Sequence, residues 1–447
     1  MSGKPQKSQF HLLTIKRFAP FFGTQFLGAF NDNVFKNALM GMVTYGVLST
    51  SLDLTQMNNL GAMLFIMPFF LFSAIGGQLA DKYDKAQLIR YIKLAEIIIM
   101  SFGALCFLIE STVGLMVMLF LMGSQTAFFG PAKYGLIPQH LNDDELVGGN
   151  ALVETGTFLA ILTGTIAAGL ISTQENSLTL AAIAVLALSV AGYLMSTQIP
   201  PAPPKDADMR IDFNPITANL YTLRFCRRNP SVFMATIGIS WFWFVGASYL
   251  TQIFVFTKDY LHGDQGVVTV LLATFSIGIA LGSLLCERLS GHKLELGLVP
   301  FSVIGITLAG IDLYFAPVFP VPTELINAAS FFAIPQAWKI ILDFFLLGTF
   351  GGLYVVPLFT LVQKRGEAAH LSRIIAAIAI VNALFMILSA VSAMILIGLL
   401  KLTIPEYFLW LAGMNILVAA FMFHSMPEFI DRFLRWSKLR SNGDSSQ

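Results

Sequence analysis

Asp32 lies near the middle of an apolar run, residues 20–47, that is long enough to cross a membrane. A carboxylate at that depth costs about 2.5–3.5 kcal/mol or more unless it is paired or wet. Lys36 stands one turn further along the same helix face, at i,i+4 spacing. Asn31 and Asn33 add amide oxygens beside the carboxylate, and hard cations take oxygen ligands of this kind. Cation coupling, by Na⁺ or H⁺, is the chemistry these four residues suggest; no other cofactor is expected. The competing reading is a self-neutralised Asp32–Lys36 pair that only packs the bundle. Lys36 is also placed to snorkel to the outer interface.

A second polar group surrounds Glu154. It sits eight residues past the start of the run 146–171, about 12 Å deep at 1.5 Å per residue. Asn150 is one turn before it and Thr157 one turn after, which makes a polar stripe. Interhelical hydrogen bonding explains such a stripe as readily as a binding role does. Lys133 follows Pro131 near the inner end of the preceding span. It can hold a phosphate at the cytoplasmic mouth, or serve as an ordinary inner-side lysine.

A third group falls between two spans, from Gly77 through Gln78, Leu79, Ala80, Asp81, Lys82, Tyr83 and Asp84 to Lys85. Gly77 permits close helix contact. Asp81 can sit at a neighbouring helix N-terminus, with Lys82 and Lys85 pairing acids or lipid phosphate. The plain alternative is a solvated loop rich in positive charge. Four other groups are discounted. Arg90 and Lys93 are expected to snorkel, with Glu96 as the partner of Lys93, and Lys339 and Asp343 read as an interfacial pair. Gly278-x₃-Gly282 and Gly348-x₃-Gly352 read as helix-packing motifs. The six histidines have no metal-ligand spacing, and Cys106, Cys226 and Cys286 are read as free thiols.

The elements that must position these residues are membrane helices. Apolar residues make up 56% of the 447-residue chain before glycine is counted, and charged residues only 12%. Soluble domains average roughly 45–50% apolar with glycine included and about 25% charged, so a soluble or disordered chain is excluded. Twelve apolar runs emerge: 20–47, 58–80, 87–109, 113–130, 146–171, 177–197, 231–257, 265–286, 295–316, 338–362, 373–399 and 405–424. Their length and continuity exclude a β-barrel. With the N-terminus inside, all of the 27 Lys and Arg except Lys36, Lys258, Lys339 and Lys401 fall on the inner side. The positive-inside rule then puts both termini in the cytoplasm.

The longest break, 198–230, opens with Ile199-Pro200-Pro201-Ala202-Pro203-Pro204 and ends near Arg224, Arg227 and Arg228. It reads as a cytoplasmic linker, and Thr217–Arg228 as a basic surface helix within it. The expected organisation is a six-helix half at 1–197, the linker, a six-helix half at 231–424 and an amphipathic tail at 425–447. Residues 128–158 align with 354–384 at an offset of 226, Pro131 on Pro357. Such repeats mark transporters and place a substrate site between the halves.

The Gly77–Lys85 segment resembles the loop signature of the major facilitator superfamily, with Asp84 where the family has a second glycine. A narrower resemblance, to bacterial lysophospholipid transporters, rests on several co-linear motifs. They are Phe26 to Asn33, Gly130 to Leu136, Gly149 to Glu154 and Gly351 to Leu358. Gly282 to Leu289 and Ala376 to Leu384 are most similar to the transporter domain that some bacteria fuse to a lysophospholipid acyltransferase.

The resemblance implies an all-α membrane protein with the major facilitator fold: twelve transmembrane helices in two pseudo-symmetric halves, in the bacterial inner membrane. It implies cation-coupled movement of lysophospholipid, chiefly lysophosphatidylethanolamine, from outer to inner leaflet, where an acyltransferase restores the missing chain. The partners it implies are lysophospholipid and membrane lipid, with no nucleic acid. No His-x₄-Asp motif occurs and no acyltransferase domain follows residue 447, so the acylating partner is expected to be a separate protein. The stand-alone transporters carry an intramembrane arginine in span 7. Here Ser248 to Gln252 holds no cation, and Lys36 is the candidate replacement. A transporter or exporter of another amphipath is the nearest alternative. A membrane-embedded lipid enzyme lacks any catalytic motif here, and a passive channel sits poorly with the repeat.

Overall fold

A computed structural model describes residues 8–44, 46–51, 54–317, 319 and 324–443. Lys4 and Lys7, assigned above to the inner side, and the last four residues of the tail lie outside the described residues. Fifteen α-helices occur among those described: α1 Ala19–Thr44, α2 Leu54–Lys82, α3 Lys85–Leu108, α4 Thr112–His140, α5 Leu146–Ser172, α6 Ser177–Ser196, α7 Pro215–Cys226, α8 Pro230–Asp259, α9 Gln265–Ser290, α10 Leu298–Tyr314, α11 Ala328–Ala333, α12 Ala337–Arg365, α13 Leu371–Ala393, α14 Ile404–Ser425 and α15 Glu428–Gly443.

Each of the twelve apolar runs falls on one helix, and the run 373–399 continues past α13 as a π-helical segment, Met394–Leu399. Among the described residues, ten helices are long and apolar enough to cross a membrane. The other two of the twelve are α1 and α10. α1 has the length, but Asn31, Asp32, Asn33, Lys36 and Asn37 lower its hydropathy; α10 is short, at 17 residues. The helix pair α4–α5 and the pair α12–α13 keep step at an offset of 225, one residue from the offset read from the sequence. α4 begins at Thr112 and α12 at Ala337, α5 at Leu146 and α13 at Leu371.

The helices begin where the local chemistry allows it. Asp84 caps α3 by accepting from Gln87 N at 2.9 Å. Asp264 caps α9 through Gly266 N and Val267 N. Thr403 and Glu406 form a reciprocal capping box at α14. Tyr83 and Asp84 make the turn before α3 without a positive φ, so no glycine is required there. Asp84 instead supplies two carboxylate oxygens, one to the cap and one to Ala202 N at 2.8 Å.

The chain packs as two compact units. One takes in Met1–Asn229 with Gln363–Ala383, the other Pro230–Val362 with Leu384–Gln447. In the first, α1 packs on α5 and α6, α2 on α4, and α3 on α4 and α6. Phe35, Leu39 and Met42 of α1, Phe107 of α3, Leu115 and Leu119 of α4 and Val185 of α6 form its apolar core. In the second, α10 and α8 pack on α14, and the tail helix α15 packs on α10. Trp436 Nε1 donates to Leu289 O at 3.1 Å, and the Trp436 ring meets Phe301. The two small-residue motifs face each other. A side chain at Gly278 or Gly282 would strike the α12 backbone at Phe345 and Thr349, and one at Gly348 or Gly352 would strike α9 at Phe275 and Ile279. Lipid supplies no hydrophobic drive between helices, so this backbone proximity is the source of their attraction.

The linker belongs to the first unit and is laced to the α2–α3 turn through its main chain. Lys205 N and Asp206 N donate to Asp81 O, Lys85 N donates to Ala202 O, and Asp212 N donates to Gln78 Oε1 at 2.7 Å. Lys82 Nζ donates to Met209 O at 2.7 Å, and Arg90 to Ser196 O and Ile199 O.

Candidate functional site

The first unit holds a buried polar cluster built by α1, α3 and α4, with Glu96 as its hub. Its Oε2 accepts from Lys93 Nζ at 2.6 Å and from Gln125 Nε2 at 3.0 Å, and its Oε1 accepts from Asn31 Nδ2 at 3.0 Å. Lys93 and Glu96 are each 1% exposed. The ammonium also lies 4.9 Å from the centre of the Phe129 ring, a cation–π contact. Gly28 makes room for it, since a β-carbon there would collide with Lys93 Nζ. Lys93 therefore does not snorkel. It lies roughly 12 Å into α3 at 1.5 Å per residue, turned inward to a carboxylate one turn away.

Asp32 joins this cluster through Thr126, whose Oγ1 lies 3.1 Å from Asp32 Oδ2 and 3.2 Å from Gln125 Oε1. Asp32 Oδ1 and Asn31 Oδ1 are both buried and have no hydrogen-bond partner among the described residues. Two acceptor oxygens on consecutive residues thus stand unsatisfied, one of them a carboxylate oxygen. Buried oxygens of this kind suit a cation or a proton better than they suit packing.

Of the other two α1 candidates, Asn33 stands apart and Lys36 interacts with Asp32 only at longer range. Asn33 donates back to Ala29 O at 2.8 Å and lies against Gly164 of α5. Lys36 makes no ion pair with Asp32 within 4 Å among the described residues. Its ammonium lies 5.7 Å from the centre of the Phe65 ring.

The Glu154 stripe tethers α4, α1 and the end of α12. Tyr134 donates to Glu154 Oε1 at 2.6 Å. Lys133 Nζ donates to Thr157 Oγ1 at 3.1 Å, and Thr157 donates to Gln25 Oε1 at 3.1 Å. Asn150 exchanges two hydrogen bonds with Gln363, at 2.6 and 3.1 Å. Lys133 and Glu154 are close enough to interact electrostatically, but they form no direct ion pair within 4 Å among the described residues. Below this stripe Arg17 ties the start of α1 to the α4–α5 loop through His140 O and Glu145. Burial pushes the Glu145 carboxyl up, but the Arg17 guanidinium and the Asn142 N–H outweigh it and hold the group below its ordinary range.

The third group is arranged around the N-terminus of α13. Asp81 is fully buried. It accepts from Ser372 N at 3.0 Å, Arg373 N at 3.3 Å and Arg373 Nε at 3.0 Å. A carboxylate at this end complements the helix dipole. Gly77 lies on the same seam, where a β-carbon would press on Ala376 Cβ and Ser372 O. Arg373 reaches on to Asp206 of the linker at 2.9 Å. Lys82 is spent on Met209 O, and the Lys85 ammonium is buried near Gly135 with no hydrogen-bond partner among the described residues. Asp81→Asn keeps the shape and removes the charge from this contact. It should weaken the α2–α13 contact by about 1–3 kcal/mol and lower transport while expression stays near wild type. Unchanged transport would reduce the segment to a structural turn.

The polar residues of these clusters that were not singled out as sites from the sequence include Lys93, Glu96, Gln125, Thr126, Gln363 and Arg373. The spacing of Lys93 and Glu96 inside an apolar run carried a signal, the one that drew attention to Asp32. Gln125, Thr126 and Arg373 gave none that spacing alone could separate from packing.

Comparison with known proteins adds two findings. The Major Facilitator Superfamily sequence family matches residues 21–390. Curated relatives include the lysophospholipid transporter LplT of Klebsiella pneumoniae subsp. pneumoniae, 28% identical over 352 residues, covering 77% of this chain and 79% of the relative. The LplT of Enterobacter sp. is 26% identical over 348 residues, with the same coverage. Among solved structures, the human organic anion transporter MFSD10 (TETRAN) superposes with a TM-score of 0.72 at 12% identity, covering 93% of this chain and 100% of that one. The major facilitator transporter FucP in its outward conformation gives 0.68 at 11% identity, covering 91% and 98%. At such identities the structural likeness speaks for the fold alone.

Proposed function

The chain belongs to the Major Facilitator Superfamily, and from that premise we propose that it carries lysophospholipid across the bacterial inner membrane. It is a multi-pass transporter and not an enzyme. The observation that carries the substrate class is the run of relatives named lysophospholipid transporter, aligned over 77% of the chain. The finer reading is movement of lysophosphatidylethanolamine from outer to inner leaflet by alternating access, for reacylation by a separate lysophospholipid acyltransferase. A coupling cation, Na⁺ or H⁺, fits the two unsatisfied oxygens of Asn31 and Asp32. Lys133 supplies an ammonium suited to a phosphate. Glu154 offers a carboxylate suited to an ethanolamine, although Tyr134 holds one of its oxygens.

The test is a leaflet-resolved assay in vesicles. Lysophosphatidylethanolamine should move several times faster than two-chain phosphatidylethanolamine, and faster still under an imposed cation gradient. Equal rates for both lipids would contradict the substrate reading. Chemical conversion of the lysolipid would contradict transport itself.

The proposed topology has twelve spans in two six-helix halves, with both termini and the linker cytoplasmic. It rests on the charge asymmetry. A cysteine at Asp259 should react with an impermeant maleimide added outside cells, and one at Asp208 should not. The reverse pattern would invert the orientation.

A further inference from the structure

α7 is too short to span a membrane, yet it exposes large apolar side chains. Phe213, just before it, is 70% exposed, Ile216 71%, Leu220 51% and Tyr221 50%. Positions 216 and 220 share one face of the helix at i,i+4 spacing and 221 borders it, while Phe213 precedes the helix. The opposite face is used. Ala218 is buried with Ala74 of α2 and Ile380 of α13, with Phe70 and Leu223 packed around them. Asn219 Nδ2 donates to Phe70 O at 2.5 Å, and the Phe225 ring meets His370 edge-on at 4.6 Å.

The location matters as much as the exposure. Phe70 and Ala74 lie about 12–18 Å along α2 from its end at Lys82, at 1.5 Å per residue, within a segment apolar enough to cross the membrane. A helix seated at that level has its free face beside lipid. Its exposed charges complete the pattern. Arg224, Arg227 and Arg228 follow the apolar face, and Arg228 lies over the Phe225 ring at 5.2 Å. An apolar face bordered by arginines is the composition of an interfacial helix.

We propose that α7 is a lipid-seated helix: Phe213, Ile216, Leu220 and Tyr221 lie in the cytoplasmic leaflet, and Arg224, Arg227 and Arg228 bind anionic phospholipid head groups. The choice of leaflet rests on the topology proposed above; the contact with lipid does not. The linker then reads the charge of the membrane at the seam where α2 meets α13. Each arginine near an anionic surface is worth about 1 kcal/mol, or about fivefold in partition.

The experiment uses the full-length protein in vesicles of phosphatidylcholine, with and without phosphatidylglycerol. A fluorophore is attached to cysteine at Ile216→Cys, Leu220→Cys or Asp208→Cys, in a background of Cys106→Ala, Cys226→Ala and Cys286→Ala. Nitroxide-labelled lipid should quench positions 216 and 220 strongly while aqueous iodide does not, and position 208 should show the opposite. Phosphatidylglycerol should deepen the lipid quenching at 220. The triple variant Arg224→Gln, Arg227→Gln, Arg228→Gln should remove most of that gain while leaving quenching in pure phosphatidylcholine nearly unchanged. Iodide access at 216 and 220 equal to that at 208 would overturn the proposal. So would shielding that develops only when a purified lysophospholipid acyltransferase is added, which would assign the face to a protein. A gain that survives in the triple variant would overturn the head-group assignment. None of these readouts requires transport, so they stand or fall apart from the substrate reading.

Discussion

Asp32→Asn should lower gradient-driven lysophospholipid uptake about 10- to 100-fold, the scale of about 1.5–3 kcal/mol for an interaction with a charged group, and Lys36→Met should not restore it. Three states are open to a carboxylate at that depth. Were it permanently protonated, the amide would be nearly silent. Were it neutralised by Lys36, the amide would strand the lysine, and the double variant would recover. In the third state it meets a mobile cation, and only the carboxylate serves. The geometry favours the third. Lys36 lies over Phe65 and interacts with Asp32 without a direct ion pair within 4 Å, while Asp32 Oδ1 and Asn31 Oδ1 are buried and have no hydrogen-bond partner among the described residues. Uptake by wild type, each single variant and the double variant, with and without imposed Na⁺ and H⁺ gradients, decides among them. Recovery in the double variant would make the pair structural. Thr126→Ala should have a milder effect, since it removes one neutral donor from Asp32 Oδ2.

Glu96→Gln should cost about 3–5 kcal/mol of stability, because it strands a buried lysine. Glu96 neutralises Lys93 and fixes Asn31 and Gln125, so one substitution disturbs three side chains. Lys93→Met alone should do comparable damage by stranding the carboxylate. The combination should recover most of the loss, since it removes both buried charges and strands neither. Thermal unfolding of the four proteins in one detergent completes the cycle. If the double variant is as unstable as the sum of the singles, the two residues do not act as a pair.

Hydropathy and charge made the helices legible, and each of the twelve apolar runs falls on one helix, α10 being short. The same arithmetic measures depth along a helix and is silent on which way a side chain turns. Lys93 shows the limit. A lysine two turns inside a span can reach the interface or the interior, and the choice is made by Glu96, Phe129 and the space at Gly28, which come from two further helices and its own. Asn31 and Asn33 show a limit of a different kind, one the sequence could have removed. Two residues apart on a helix means about 200° of rotation, so they could not both serve Asp32. The structure turns one to Glu96 and the other toward α5. The Asp81 segment was more readable, because a carboxylate that closes a turn seeks backbone N–H groups, and the N-terminus of α13 offers them. That Arg373 and Asp206 would complete the contact depended on a linker path that composition does not encode.

The linker's grip on the α2–α3 turn has a consequence for how freely its sequence can drift. The bonds leave from main-chain N–H groups at Ala202, Lys205, Asp206 and Asp212. Prolines occupy 200, 201, 203 and 204, positions from which no main-chain donor is drawn. Side-chain identity matters at Asp206, which meets Arg373, and at the buried Ile199 and Ala202; at the other donor positions what is specified is that the residue is not proline. Outside those three residues the segment can change its side chains and still close in the same way. A single inserted residue between 202 and 212 shifts every later donor off its acceptor. Alignments that tolerate gaps in linkers as harmless would misjudge this one.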